Sequence, residues 1–237
     1  MKKAITIVIG IIFLTASISF AESEVSGKVI NKANVKKSAN IAMGEDATAN
    51  MGSVTMKDSD VSGKVVNKAN VKKSANIAIG QKAKANMGSV TMKDSDVSGK
   101  VINKADINKS ANIAAGQRAT ANMGSVTMKD SDVSGKVVNK ADVKKSANIA
   151  MGKGATANMG AVTMKGSDVS GKVINKAEVK KSANIAIGEK ATANMGSVTM
   201  KDSNVSGKVI NKADVNKSAN IAAGKGSDAS MGSVTME

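Results

Sequence analysis

Apolar and polar positions alternate from Val25 onward. Val25, Gly27, Val29, Asn31, Ala33 and Val35 fall on one face, and Ser26, Lys28, Lys32 and Asn34 on the other, with Ile30 out of step. Alternation at period two is the mark of a strand with one face buried. The next segment, Ser38 to Gly44, places Ile41 and Met43 on one face; Ala47, Ala49 and Met51 then share another. Beyond Gly52 the parity flips, so that Val54 and Met56 take the opposite phase. A glycine at a change of parity reads as a bend or corner. The pattern predicts several short strands joined by tight polar corners.

This pattern returns every 36 residues, at 25–60, 61–96, 97–132, 133–168, 169–204 and 205–237, without insertion or deletion, the last copy being shorter. A fixed period of this length is the signature of a solenoid, propeller or tandem array. Constant length points to stacking, because stacked units cannot change length without breaking register. The expected fold is therefore all-β: a parallel β-solenoid of six repeats, in which like residues form columns. The columns singled out are Val29, Val65, Val101, Val137, Val173 and Val209; Asn31, Asn67, Asn103, Asn139, Asn175 and Asn211; and Ile41, Ile77, Ile113, Ile149, Ile185 and Ile221. Stacked asparagines can hydrogen-bond up and down a ladder, and stacked apolar groups pack on their own kind. The absence of proline fits, since each N–H is needed by the next rung.

The number of turns per repeat is less constrained. Each repeat divides into hexads, such as Gly27–Lys32, Ala33–Ser38 and Ala39–Gly44, and three hexads make one short coil of a left-handed β-helix. Two short coils per repeat are expected on this basis. They would set Lys28 beside Asp46, but also Val54 beside Lys36. One wide coil keeps every column of one kind, yet brings lysines to ~4.8 Å from one another. Helices are disfavoured by at least three glycines per copy, such as Gly27, Gly44 and Gly52, each costing a helix about 1 kcal/mol relative to Ala.

The first residues have a different composition. Lys2 and Lys3 precede an apolar run from Ala4 to Leu14, and small residues Ser19 and Ala21 follow. This is the layout of a secretory signal peptide over 1–21, cut after Ala21, leaving a repeat domain over 22–237. Both phenylalanines, Phe13 and Phe20, lie in that segment, so the repeats contain no aromatic residue and their core must be thin, built from Val, Ile, Ala and Met. The expected location is extracellular or at the cell surface, with the periplasm as the alternative, and no segment after the signal is apolar enough to span a bilayer. No cysteine is present to form disulfides there.

The formal net charge is +16. A strongly basic rod favours anionic surroundings such as lipopolysaccharide, acidic polysaccharide or DNA, although lysine also blunts strand edges and keeps repetitive β proteins soluble. Specific nucleic-acid recognition is not expected without aromatic residues for base stacking. A disordered basic chain is the alternative to a fold, given the small apolar residues.

No catalytic, cofactor or metal site is expected. Histidine, cysteine and tyrosine are missing, and lysines and serines recur in every copy, so no singular constellation arises. The Asp-x-Asp corner (Asp58 with Asp60, Asp94 with Asp96, Asp130 with Asp132) could ligate calcium. It decays to Gly166 with Asp168 and lacks a calcium-roll framework, so the carboxylates read as solvated partners of lysine. Met51 and Met56 recur in all six copies and read as core fillers rather than ligands for soft metals. Variation concentrates at corners, as in Glu45-Asp46, Gln81-Lys82, Gln117-Arg118 and Lys153-Gly154.

With its imperfect repeats rich in Asn, Ser, Gly and Ala between Val25 and Glu237, the chain resembles bacterial extracellular β-solenoids, in the manner of curli-type and Fap-type functional amyloid subunits and repeat adhesins. It departs from the curlin pattern in having only Gln81 and Gln117 in place of regularly spaced glutamines. The resemblance implies a fibre or surface role. Repeat language runs on to Ser233-Val234-Thr235-Met236-Glu237 with no evident capping unit, and uncapped edges can pair with another copy. The expected function is a secreted structural protein that self-associates end to end into fibres of a biofilm matrix or cell surface. The alternative is a monomeric basic rod that binds polyanions.

Overall fold

The structure, a computed structural model, describes residues 17–21 and 24–236. All its regular elements are β-strands. They are β1 (Ile18–Ala21), then in the first repeat β2 (Glu24–Lys36), β3 (Ala39–Met43), β4 (Thr48–Met51) and β5 (Val54–Lys57), with the last four recurring in each later copy. Every strand pairs in parallel with its counterpart 36 residues away: Val29 with Val65 and Asn31 with Asn67 from β2, Ile41 with Ile77 from β3, Ala49 with Ala85 from β4, and Val54 with Val90 from β5. The result is a parallel β-solenoid of four sheets, three with six strands and a fourth with seven.

One repeat is one wide turn. The expected two short coils per repeat are corrected by this register, and the reason lies in the columns. A half-repeat offset would press Val54 against Lys36, whereas the full offset places Val54 on Val90 with both side chains buried. Lysine crowding is tolerated because Lys28, Lys32 and Lys36 project from the outer face of β2 into water, where the repulsion is screened.

The seventh strand of the fourth sheet is β1, which lies on β5 with Ile18 opposite Val54 and Phe20 opposite Met56. The expected export signal otherwise falls outside the described residues.

Three apolar strips run the length of the solenoid. Val29 and its column meet Val54 and Met56 across the interior. Ala33 and Val35 meet Met51. Between the second and third sheets the strip is alanine alone, with Ala78 and Ala114 against Ala85 and Ala121. The aromatic-free repeats thus close their core by bringing the sheets near enough for small side chains to touch.

Three of the four corners share one device. A residue with positive φ (Lys37 at 51°, Gly52 at 61°, Asp58 at 49°) is followed by a serine. That serine's Oγ donates back to the carbonyl two residues earlier: Ser38 to Lys36, Ser53 to Met51 and Ser59 to Lys57. Serines also link coils, for Ser38 and Ser59 N–H donate to Ser74 and Ser95 Oγ. The left-handed conformation costs a lysine roughly 1–2 kcal/mol, which the stacked serine bonds offset. The fourth corner, residues 44–47, is a wider turn and carries the variable pairs.

Candidate interaction surfaces

The Asn31 column is a buried amide ladder in which Asn31 Nδ2 donates to Asn67 Oδ1 at 2.9 Å, Asn67 to Asn103 at 2.9 Å, and so on to Asn211. A second ladder runs the same way from Asn40 to Asn220. A third, in the β4 sheet, runs in the opposite sense, since Asn86 Nδ2 donates back to Asn50 Oδ1 at 2.8 Å. The Val29 column is buried, apart from the partly buried Val209. Position Ile41 differs: Ile41 is 58% and Ile221 45% exposed, with the four isoleucines between them half-buried. Asn76 and Ala78 take the inward places instead. Ile41 and Met43 therefore belong to an apolar stripe on the outer face of the β3 sheet. The methionines of the Met51 and Met56 columns are core residues, buried in every coil but the last.

Charged groups divide into paired and unpaired columns. Asp58, Asp94 and Asp130 each turn to the lysine just before them, Lys57 at 3.2 Å, Lys93, and Lys129 at 2.9 Å. The hydrogen bond from Lys93 holds the Asp94 carboxyl below its usual range and raises the Lys93 ammonium. Among the described residues no three acidic side chains gather as a metal site would require. On the outer face of β2 and its counterparts, a groove of about 790 Å³ is floored by the Ala33 column, with lysines along one wall and Asn70, Asp106, Asp142, Glu178 and Asp214 along the other. Two of its acids engage the lysine two residues on: Asp142 pairs with Lys144 at 2.8 Å and Glu178 with Lys180 at 2.6 Å. Those hydrogen bonds raise both lysines and lower Glu178.

The first corner is electrostatically different. Lys37, Lys73, Lys109, Lys145, Lys181 and Lys217 line an open groove of about 1050 Å³ with serine and alanine and no carboxylate. This column was not singled out from the sequence. The signal that could have found it is the shared x-Ser ending of Lys36-Lys37-Ser38, Met51-Gly52-Ser53 and Lys57-Asp58-Ser59, which marks three equivalent corners, one of them lined with lysine.

The ends form the remaining surface. In the last coil Val234 is 44% and Met236 69% exposed, whereas their counterparts Val198 and Met200 are buried. Strands Val205–Asn216, Ala219–Ala223, Asp228–Met231 and Val234–Met236 are each paired on one side only among the described residues. No protein-family model, no curated protein and no solved structure matches the chain.

Proposed function

We propose that the protein is a secreted structural subunit that stacks end to end into extracellular or cell-surface fibres, the role implied by its resemblance to curli-type and repeat-adhesin solenoids. The observation that carries this reading is the uncovered core of the last coil. Met231, Val234 and Met236 have the side chains of interior columns, yet nothing described lies over them. A second copy offers the same columns at the same spacing, and covering apolar surface is worth about 25 cal/mol per Å². Parallel edges add backbone hydrogen bonds in every sheet. Negative-stain electron microscopy of the chain over 22–237 at neutral pH tests the reading. Long unbranched filaments are the expected result; uniform short rods at high concentration would sink it.

A second reading, a basic rod that holds polyanions, is favoured by the Lys37 groove. Six ammonium groups in file, with no carboxylate in the lining, fit a linear anionic polymer better than a compact ligand. Binding to an acidic polysaccharide or DNA would then weaken steeply with salt. Replacing Lys73, Lys109 and Lys145 by Gln would flatten that salt dependence. The same replacement at Lys68, Lys104 and Lys140, whose groove also carries acids, would change it less.

A further inference from the structure

The four sheets do not begin level. Leaving β1 aside, each holds six strands, and β2, β3, β4 and β5 offer their free edges at the same end of the solenoid. β1 covers the edge of β5 alone. It lies where the Val-Thr-Met-Lys strand of a preceding coil would lie, with the Ile18 N–H donating to Ser53 O at 3.0 Å. The opposite end carries an unmet hydrogen bond. Ser53, Ser89 and Ser125 Oγ each donate to the carbonyl 33 residues later, at 3.0, 3.0 and 2.9 Å, and Ser197 does so to Ser230 O at 3.3 Å. Ser233 Oγ is buried without a partner. The first coil of a second copy presents the same carbonyl, Asn50 O.

The geometry points to β1 as a removable cover on an assembly interface whose occupant is a second copy of this chain. The inference rests on the end-to-end reading above and gives it a register. Val205 of one copy pairs with Val25 of the second copy, Ala219 with Ala39, Asp228 with Thr48 and Val234 with Val54, each continuing the spacing seen within the chain. Val234 then takes the place that Ile18 holds, so the four sheets cannot all join until β1 leaves.

Charge at the seam agrees with this register. Lys225 meets Glu45 of the second copy as Lys153 meets Glu189 within the chain, at 3.2 Å. Glu24 meets Asn204, the one neutral member of the column Asp60, Asp96, Asp132, Asp168 and Asn204. A cut after Ala21, the boundary expected for the export signal, would remove β1 whole, so that export and release of the interface would be one event.

The chain has no cysteine, which makes the seam readable by disulfide trapping. Full-length chains carrying Glu45→Cys and Lys225→Cys are mixed under mild oxidation. Within one chain these positions lie five coils apart, about 24 Å at the inter-strand spacing and beyond disulfide reach. The pair is made with β1 intact and again with Ile18→Pro and Phe20→Pro, which remove its donors to β5 while leaving the six coils untouched. The expected result is a linked dimer that rises several-fold with the prolines, together with filaments. Equal linkage with β1 intact would overturn the cover. Filaments without linkage would overturn the register while sparing the fibre. Neither filaments nor linkage in either pair would overturn the end-to-end reading itself.

Discussion

Asn112 Nδ2 donates to Asn148 Oδ1 at 2.8 Å, one coil along the axis, and the same amide reaches across the interior to Ala85 O at 2.9 Å and Asn122 O at 3.1 Å. One side chain thus fastens adjacent coils and two facing sheets. Asn112→Asp replaces the donor with a buried carboxylate that faces three acceptors, and it should cost on the order of 3 kcal/mol or more. Because each coil of a solenoid draws its stability from nearest neighbours, the loss should be local. Hydrogen exchange is the check: protection should fall around residues 75–87 and 111–159, and a uniform fall along the rod would contradict the local picture.

The third amide ladder stops short. Asn194 Nδ2 donates to Asn158 Oδ1 at 3.1 Å, but the next position is Ser230, and Asn194 Oδ1 is left buried without a partner. Ser230→Asn should complete the ladder and stabilise the last coil by about 1 kcal/mol. Urea denaturation should show a higher midpoint with an unchanged slope. An unchanged or lower midpoint would mean that the last coil has no room for the longer amide.

Alternation along the sequence reveals which residues share a face, not which face is inside. For Val29, Asn31 and Ala33 the two questions coincide, because lysines on the other face settle the matter. For Ala39–Met43 they do not: bulk argues for Ile41 and Met43 inside, yet the β4 sheet comes so close that only Asn40 and Ala42 and their columns fit. That closeness is a tertiary property, as is the full-repeat register that replaced the expected two coils, and neither is written in one repeat taken alone. The contrast can be tested within one strand. Ala114→Ile should overpack the alanine strip and cost roughly 1–3 kcal/mol, while Ile113→Thr, on the half-buried outer face, should cost under about 1 kcal/mol. Thermal melts of the two variants in the reverse order would mean that the parity of this strand is inverted.

Acid acts on the lysine columns through their partners. Asp94 and Glu178 titrate below their ordinary values because Lys93 and Lys180 hydrogen-bond the charged forms. A lowered folded value stabilises above the unfolded value, and that support is lost as pH falls through the folded one. Both pairs are exposed, so their direct contribution is small. The larger effect is collective: once the 19 carboxylates are protonated, 35 basic side chains stand unbalanced, many in columns at ~4.8 Å spacing. Strand content followed by circular dichroism should therefore fall below about pH 4 in low salt and persist to lower pH in high salt. Superimposable acid titrations at the two ionic strengths would remove lysine repulsion as the cause.

Glycine at one column separates the fold of a coil from the joining of two copies. A Cβ on Gly99 would come within 2.0 Å of Gly63 O in the preceding coil, at a φ of 130° that L side chains rarely adopt. Gly99→Ala should therefore force two coils apart and disrupt the middle of the rod. Gly27 heads the same column, with a φ of 107°, but a Cβ there meets nothing within 4 Å. Gly27→Ala should add only backbone strain of about 1–2 kcal/mol to the first coil and leave strand content close to that of the parent. In the end-to-end register, however, Gly207 O of another copy comes to Gly27 just as Gly63 O comes to Gly99. The added methyl should then stop filament growth with the coils intact. Circular dichroism and electron microscopy on the two variants read the two effects separately, and filaments that form as readily from Gly27→Ala as from the parent would rule out a seam through this column.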